Sequence, residues 1–284
     1  MERLFAEGSH QDHYRYYRKY LAGCQSVFGG RERGTYAQAV TERLTADREL
    51  TDAVLGGACR AYGTSVEHLL LCALVMGVYK IYGIHNICVF CEHDMRLSGL
   101  PSLDLSQSVG WLAAEYPLVF HTEGCDMEKV IIQVKDQSLL VPWNGACYMY
   151  ARDRLAAEGL SAPEDILFNY MGSFDGEEEK GAFDTDEEMS GLWNDTNEKM
   201  PFVLEVNAGM KSGHLILDIT CDSKAAGAEA AGKLAGILKE SLKEITDHCV
   251  EKKTVTETPG DYNNRYLSMD DLKYLENAVS RITD

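Results

Sequence analysis

The amino-acid sequence predicts an α/β fold, and three stretches carry that expectation. TSVEHLLLCALVMGVYKIYG (64–83) has helical spacing but is apolar almost all round, so it belongs in a core. NICVFCE (86–92) follows at once, a short run of Ile, Val and Phe suited to a strand covered on both faces. PFVLEVNAGMKSGHLILDITCD (201–222) alternates apolar and polar residues on both sides of KSGH, the pattern of a β-hairpin with a Gly-containing turn. Buried helices leading into buried strands are the signature of layered α/β architecture.

Taken in chain order, QDHYRYYRKYLAG reads as a short helix or connector stopped at Gly23. His10 and His13 stand at an HxxH spacing but lack an acidic third ligand, so they are expected at the surface. A polar, Gly-containing segment then runs to about residue 46. RELTDAVLGGACRAYG is helical, with apolar residues at 50, 54, 55, 58 and 62. The buried helix that follows has Thr64 and Glu67 as a capping box, and Gly83 marks its stop.

Pro117 breaks any helix in SVGWLAAEYPLVFH ahead of a strand at LVFH. DMEKVIIQVKDQSLL is an amphipathic helix capped by Asp126, and DILFNYMG is a short strand ending at a Gly. Between 175 and 188, eight acidic residues and one Lys form a solvated loop whose spacing fits no EF-hand. AEAAGKLAGILKESLKEITDHC presents Leu234, Ile237, Leu238, Leu242 and Ile245 on one face, and the last segment ends in a short helix capped by Ser268. No internal repeat and no boundary between two domains is visible.

With 284 residues, 45% of them apolar, the chain can build a sizeable core. Its formal charge of −18 repels phosphate backbones and excludes nucleic acid as a partner. Local basic clusters remain at Arg15, Arg18 and Lys19, and at Lys129, Lys135, Arg152 and Arg154; each is either a docking patch for an acidic partner or a solvated face. The longest apolar run, Leu69 to Tyr79, is too short for a membrane span, and the first thirty residues are polar, so a cytoplasmic location without membrane contact is expected. Nine scattered cysteines fit buried free thiols. Only Cys88 and Cys91 have metal-like spacing, and a strand would point them to opposite faces, so no metal site is expected.

Phosphate-binding Gly loops, the nucleophile elbow and HExxH are absent from the sequence. What stands out is a set of strand-end loops rich in Glu, Trp, Tyr, Asn and Gly: CEHDMR, SVGWLAAEYP, WNGACYMY and FNYMGSFD. In this order they resemble the motifs of the epimerization domains of nonribosomal peptide synthetases, members of the condensation-domain superfamily. CEHDMR is similar to the family's Glu-Gly-His-Gly-Arg loop, with Glu92 and Arg96 as its outer residues and His93, Asp94 and Met95 in place of Gly-His-Gly. That register continues ungapped into DLSQSVGWLAAEYPLVF, which resembles the Val-Gly-Trp segment with its downstream Tyr-Pro. VKDQSLLVPWNGACYMY resembles the Lys-Glu-Gln helix and Gly-Tyr-Gly turn, ILFNYMGSFD the Phe-Asn-Tyr-Leu-Gly strand, and TPGDYNNRYLSMDDL the Thr-Pro-Ser-Asp tail.

The resemblance implies a lobe like chloramphenicol acetyltransferase, a mixed β-sheet packed with helices. Residues 47–284 would be the C-terminal lobe of such a domain and residues 1–46 the crossover or N-terminal connector. The family's HHxxxDG motif lies in the other lobe and does not occur in this sequence. Partners implied are that missing N-terminal lobe and a peptidyl carrier protein, whose phosphopantetheine arm brings the substrate; no cofactor is bound permanently. The apolar surface of a lone lobe would favour a homodimer.

Epimerizing a carrier-bound aminoacyl or peptidyl thioester requires Cα proton removal and return on opposite faces. Glu92 would be the catalytic acid/base of this lobe, with Asn169, Tyr170, Asp94 and Arg96 lining the tunnel. Burial would raise the Glu92 pKa, unless Arg96 or His93 pairs with it. Trp111, Tyr116 and Trp143 are expected to pack the lobe, and Gly110 and Gly172 to permit tight turns. Without the histidine-bearing lobe the chain is expected to lack activity. The alternatives are a lobe of a condensation domain making peptide bonds and a non-catalytic lobe that docks a carrier.

Overall fold

The computed structural model describes residues 10–97, 104–122, 126–173 and 194–283. The acidic 175–188 stretch, expected to be a solvated loop, lies outside them. Among the described residues six strands form one mixed sheet: β1 (Ala39–Thr45), β2 (Asn86–Asp94), β3 (Ala113–His121), β4 (Ile166–Ser173), β5 (Leu204–Lys211) and β6 (His214–Asp222). Their spatial order is β1-β6-β5-β4-β2-β3. The central pairs β2·β4 and β4·β5 are parallel, while β2·β3, β5·β6 and β1·β6 are antiparallel.

The main helices are α1 (His10–Leu21), α2 (Arg48–Ala61), α3 (Val66–Tyr82), α4 (Met127–Leu140), α5 (Tyr148–Ala157), α6 (Ala230–Glu251) and α7 (Met269–Thr283). Helix α3 is the core of the molecule, buried without a break from His68 to Val78. Its Gly77 lies against Leu234, Ile237 and Leu238 of α6, which explains why the sequence of α3 has no polar face. Among the described residues no single helix is long and apolar enough to cross a membrane.

Several expectations are met in detail. Gly83 closes α3 in the left-handed conformation, Asp126 caps α4 through the Lys129 N–H, and Ser268 caps α7 through the Asp271 N–H. Ser212 and Gly213, both at positive φ, make the two-residue turn joining β5 to β6.

Other expectations are corrected. The segment before residue 46 holds β1, paired along its whole length with β6, because Thr41 and Arg43 satisfy a solvent-facing edge that needs no apolar alternation. Strand β3 begins at Ala113, four residues ahead of Pro117; an edge strand tolerates a proline, whose missing N–H is needed by no neighbour. The cap of α3 is Ser65, boxed with His68, one residue later than Thr64. His13 is buried, its Nδ1 2.7 Å from Cys147 Sγ and its ring edge-on to Trp143. Trp111 is 88% exposed, whereas Tyr116 is buried as expected. Lys135 leaves the basic patch altogether: it is fully buried and donates to the Tyr62 carbonyl and to Asp261.

Cys88 and Cys91 are both buried in β2, and among the described residues no cluster of His, Cys, Asp and Glu is arranged to hold a metal.

Candidate active site

Strands β2 and β4 run parallel, so their carboxyl ends meet at one edge of the sheet. Helix α3 returns into β2 through residues 83–85, which brings its first turn to the same edge. Crevices outside the carboxyl ends of parallel strands are where α/β folds place ligands. Here they form an open groove of about 460 Å³. All five residues singled out by the sequence line it: Glu92, Asp94 and Arg96 from the end of β2, Asn169 and Tyr170 from β4.

Strand β2 is buried from Ile87 to Cys91 and opens to solvent only afterwards, which leaves Glu92 half-buried at the rim. Burial, and secondarily the charge of Glu115, pushes its carboxyl pKa up. Among the described residues no Lys or Arg forms an ion pair with it. Arg96 is engaged elsewhere: its Nη1 lies 3.1 Å from Asp94 Oδ1, and its Nη2 donates to the carbonyls of Ser108 at 3.0 Å and Gly110 at 2.9 Å. The Asp94 carboxylate also accepts the Arg96 N–H, which holds its pKa below the usual range. His93 Nε2 faces Asn144 Nδ2 at 3.2 Å. Arg96 therefore stitches the β2 loop to the 108–110 segment and does not neutralise Glu92.

Cys91 pairs with Phe168 across the parallel β2·β4 ladder, so Asn169 shares the sheet face of Glu92 and Tyr170 takes the opposite one. Burial, then the charge of Glu67, raises the Tyr170 phenol. Gly172 adopts φ 77° in the irregularity of the β4·β5 register between Tyr170 and Ser173, after which the ladder resumes at Ser173 and Met210.

Two further lining residues are not singled out by the sequence. Glu67 pairs there with a Thr64 cap; with the cap at Ser65, its side chain turns to the groove, where burial raises its pKa. A carboxylate in the first turn of an otherwise apolar helix is the available signal. Trp111, expected in packing because aromatic residues are usually core, stands at the rim.

The model of the Condensation domain family matches residues 6–267. The chain belongs to the condensation-domain family. Relatives of this condensation-family chain include one of the mycosubtilin synthase proteins of Bacillus subtilis, 29% identical over 228 residues, which cover 79% of the chain and 9% of that protein. Bacitracin synthase 3 of Bacillus licheniformis is 28% identical over 235 residues, covering 81% of the chain and 4% of the relative. Among solved structures, the epimerization domain from the third module of tyrocidine synthetase B superposes with a TM-score of 0.72 at 20% identity, covering 89% of the chain and 57% of that one. A condensation domain that mediates chain release from the enacyloxin polyketide synthase gives 0.59 at 14% identity, covering 89% and 49%. The chain thus spans about half of the solved domains and a small part of the synthases. The shared fold is the mixed sheet with packed helices that the sequence predicts.

Proposed function

We propose that this chain supplies the C-terminal lobe of a nonribosomal peptide synthetase epimerization domain, with residues 1–46 as its crossover segment. The observation that carries the reading is Glu92: a half-buried carboxyl with a raised pKa, in a groove at the carboxyl ends of β2 and β4, with no cation paired to it among the described residues. A group that takes a proton from carbon and returns it works best with a pKa moved towards the working pH.

In this reading the substrate is an aminoacyl or peptidyl thioester on the phosphopantetheine arm of a peptidyl carrier protein, so the arm arrives with the substrate. Glu92 removes the Cα proton, and the electron pair of the C–H bond passes to the thioester carbonyl as an enolate. The Asn169 amide, on the sheet face of Glu92, is a donor available to that oxygen, and Tyr170 lines the groove from the other face. Return of the proton to the opposite face requires a second acid, which the HHxxxDG lobe supplies. Asp94 and Arg96, bound to each other, shape the wall.

The test is Cα deuterium exchange from a carrier-bound aminoacyl thioester, with this chain alone and with an added HHxxxDG lobe. Exchange with inversion at Cα is expected only with both, and Glu92→Gln abolishes it. Inversion by the chain alone, or full exchange by the Gln variant, overturns the reading.

The second reading is a condensation lobe, favoured by the family match over residues 6–267 and by the likeness to condensation domains. Product analysis separates the two: a D-configured residue supports epimerization, a lengthened peptide condensation. A lobe that only docks the carrier would give neither.

A further inference from the structure

Antiparallel pairing places Glu92 of β2 directly opposite Glu115 of β3. Side chains at directly opposite positions share a sheet face with Cβ atoms roughly 5 Å apart, and like charges there are destabilising. Neither carboxylate has an ion-pair partner among the described residues, and the nearby guanidinium of Arg96 is committed to Asp94 and to backbone carbonyls. The register is not free to relieve the repulsion. Ala114 and Tyr116, flanking Glu115, are buried, so a one-residue slip would turn Glu115 into the core.

We propose that Glu115 is a positioning residue that acts through Glu92, its negative charge favouring the proton-carrying form of the Glu92 carboxyl at the groove. This rests on the reading of Glu92 as the acid/base group. Glu205 on β5, held by the Tyr36 hydroxyl at 2.9 Å, feels the charges of both carboxylates, Glu164 bears on Glu115, and Glu67 on α3 lines the same groove. The Asp94–Arg96 pair is neutral as a unit, His93 lies against Asn144, and Tyr170 is a neutral phenol at working pH. The direction of the Glu92 shift, with Glu115 as its second cause after burial, agrees with this geometry.

The experiment is a carbon-13 NMR titration of the glutamate carboxyls in the full chain, with Glu92 assigned through Glu92→Gln. Removing the charge in Glu115→Gln is expected to lower the Glu92 midpoint by about half a unit to one unit, and Glu115→Lys to lower it further. In the unaltered chain, 0.5 M salt is expected to lower the same midpoint, and to lower it less in Glu115→Gln. That salt response needs no variant to fold. A raised midpoint that neither substitution nor salt moves overturns the role of Glu115 and leaves Glu92 as read. A midpoint in the unaltered chain near the ordinary 4.5 overturns both.

Discussion

Lys135 Nζ, fully buried on α4, lies 2.5 Å from Asp261 Oδ2 in the C-terminal Thr-Pro-Gly-Asp turn and 2.5 Å from the carbonyl of Tyr62. One ammonium thus ties three distant segments together, and Asp261 in turn accepts the Thr258 N–H at 2.7 Å. The adjacent His68 imidazole is pushed down to about 4 by burial and by this charge, so it remains neutral at working pH. Lys135 is fully buried while the Asp261 side chain is one third exposed, so removing the ammonium leaves the Tyr62 carbonyl and a partly solvated carboxylate without their donor. Lys135→Met is therefore expected to lower unfolding free energy by about 2 kcal/mol in urea titrations, and a loss below about 0.5 kcal/mol would refute the tie.

Gly145 sits at φ 81° against the ring of Tyr116, where an added Cβ would collide with the aromatic carbons. Its neighbours Trp143 and Asn144 also hold positive φ, so the turn has no slack. Gly145→Ala combines the strain of a left-handed alanine with a steric clash on a buried ring. A loss of more than about 2 kcal/mol is expected by thermal or denaturant unfolding.

Glu92 is expected to cost stability in exchange for its role. Its folded pKa is raised, so the folded state binds the proton more tightly than the unfolded one. That favourable contribution is complete below the ordinary value of 4.5 and is lost as pH rises through the folded pKa. Glu92→Gln should accordingly raise the thermal midpoint at pH 8, with the gain shrinking as pH falls towards 4.5. Differential scanning fluorimetry across this range checks the sign; a variant less stable at pH 8 would contradict it.

Trp111 contributes to the rim of the groove and little to the core, at 88% exposure. Trp111→Ala should change unfolding free energy by no more than about 0.5 kcal/mol. The same substitution should weaken binding of an aminoacyl-pantetheine thioester analogue several-fold by calorimetry. A large stability loss with unchanged binding would return Trp111 to the packing role.

The thiols should divide by burial. Cys72, Cys88 and Cys91 are buried with pKa values raised well above the ordinary thiol, whereas Cys24 and Cys59 are partly exposed. Timed alkylation with mass mapping should modify Cys24 and Cys59 at least roughly tenfold faster, as thiolate access requires.

By itself, the sequence determined the elements whose signal is local. The all-apolar helix at 66–82, the caps at Gly83 and Asp126, the 204–222 hairpin and the helix at 230–251 each follow from periodicity and turn chemistry within a few residues. The strand-end loops of the groove were conspicuous in one dimension, and the resemblance to epimerization domains picked out Glu92, Asp94, Arg96, Asn169 and Tyr170 within them.

Only the tertiary structure decided what depends on contacts distant along the chain. It made 39–45 an edge strand, since its partner lies about 180 residues away, and buried Lys135 and His13, whose partners are Asp261 and Cys147. It assigned Arg96 to Asp94, exposed Trp111, and set Glu115 across from Glu92. The physical reason is common to all of these: cross-strand register and ion pairing place side chains by three-dimensional neighbours, and adjacency in the chain carries no record of them.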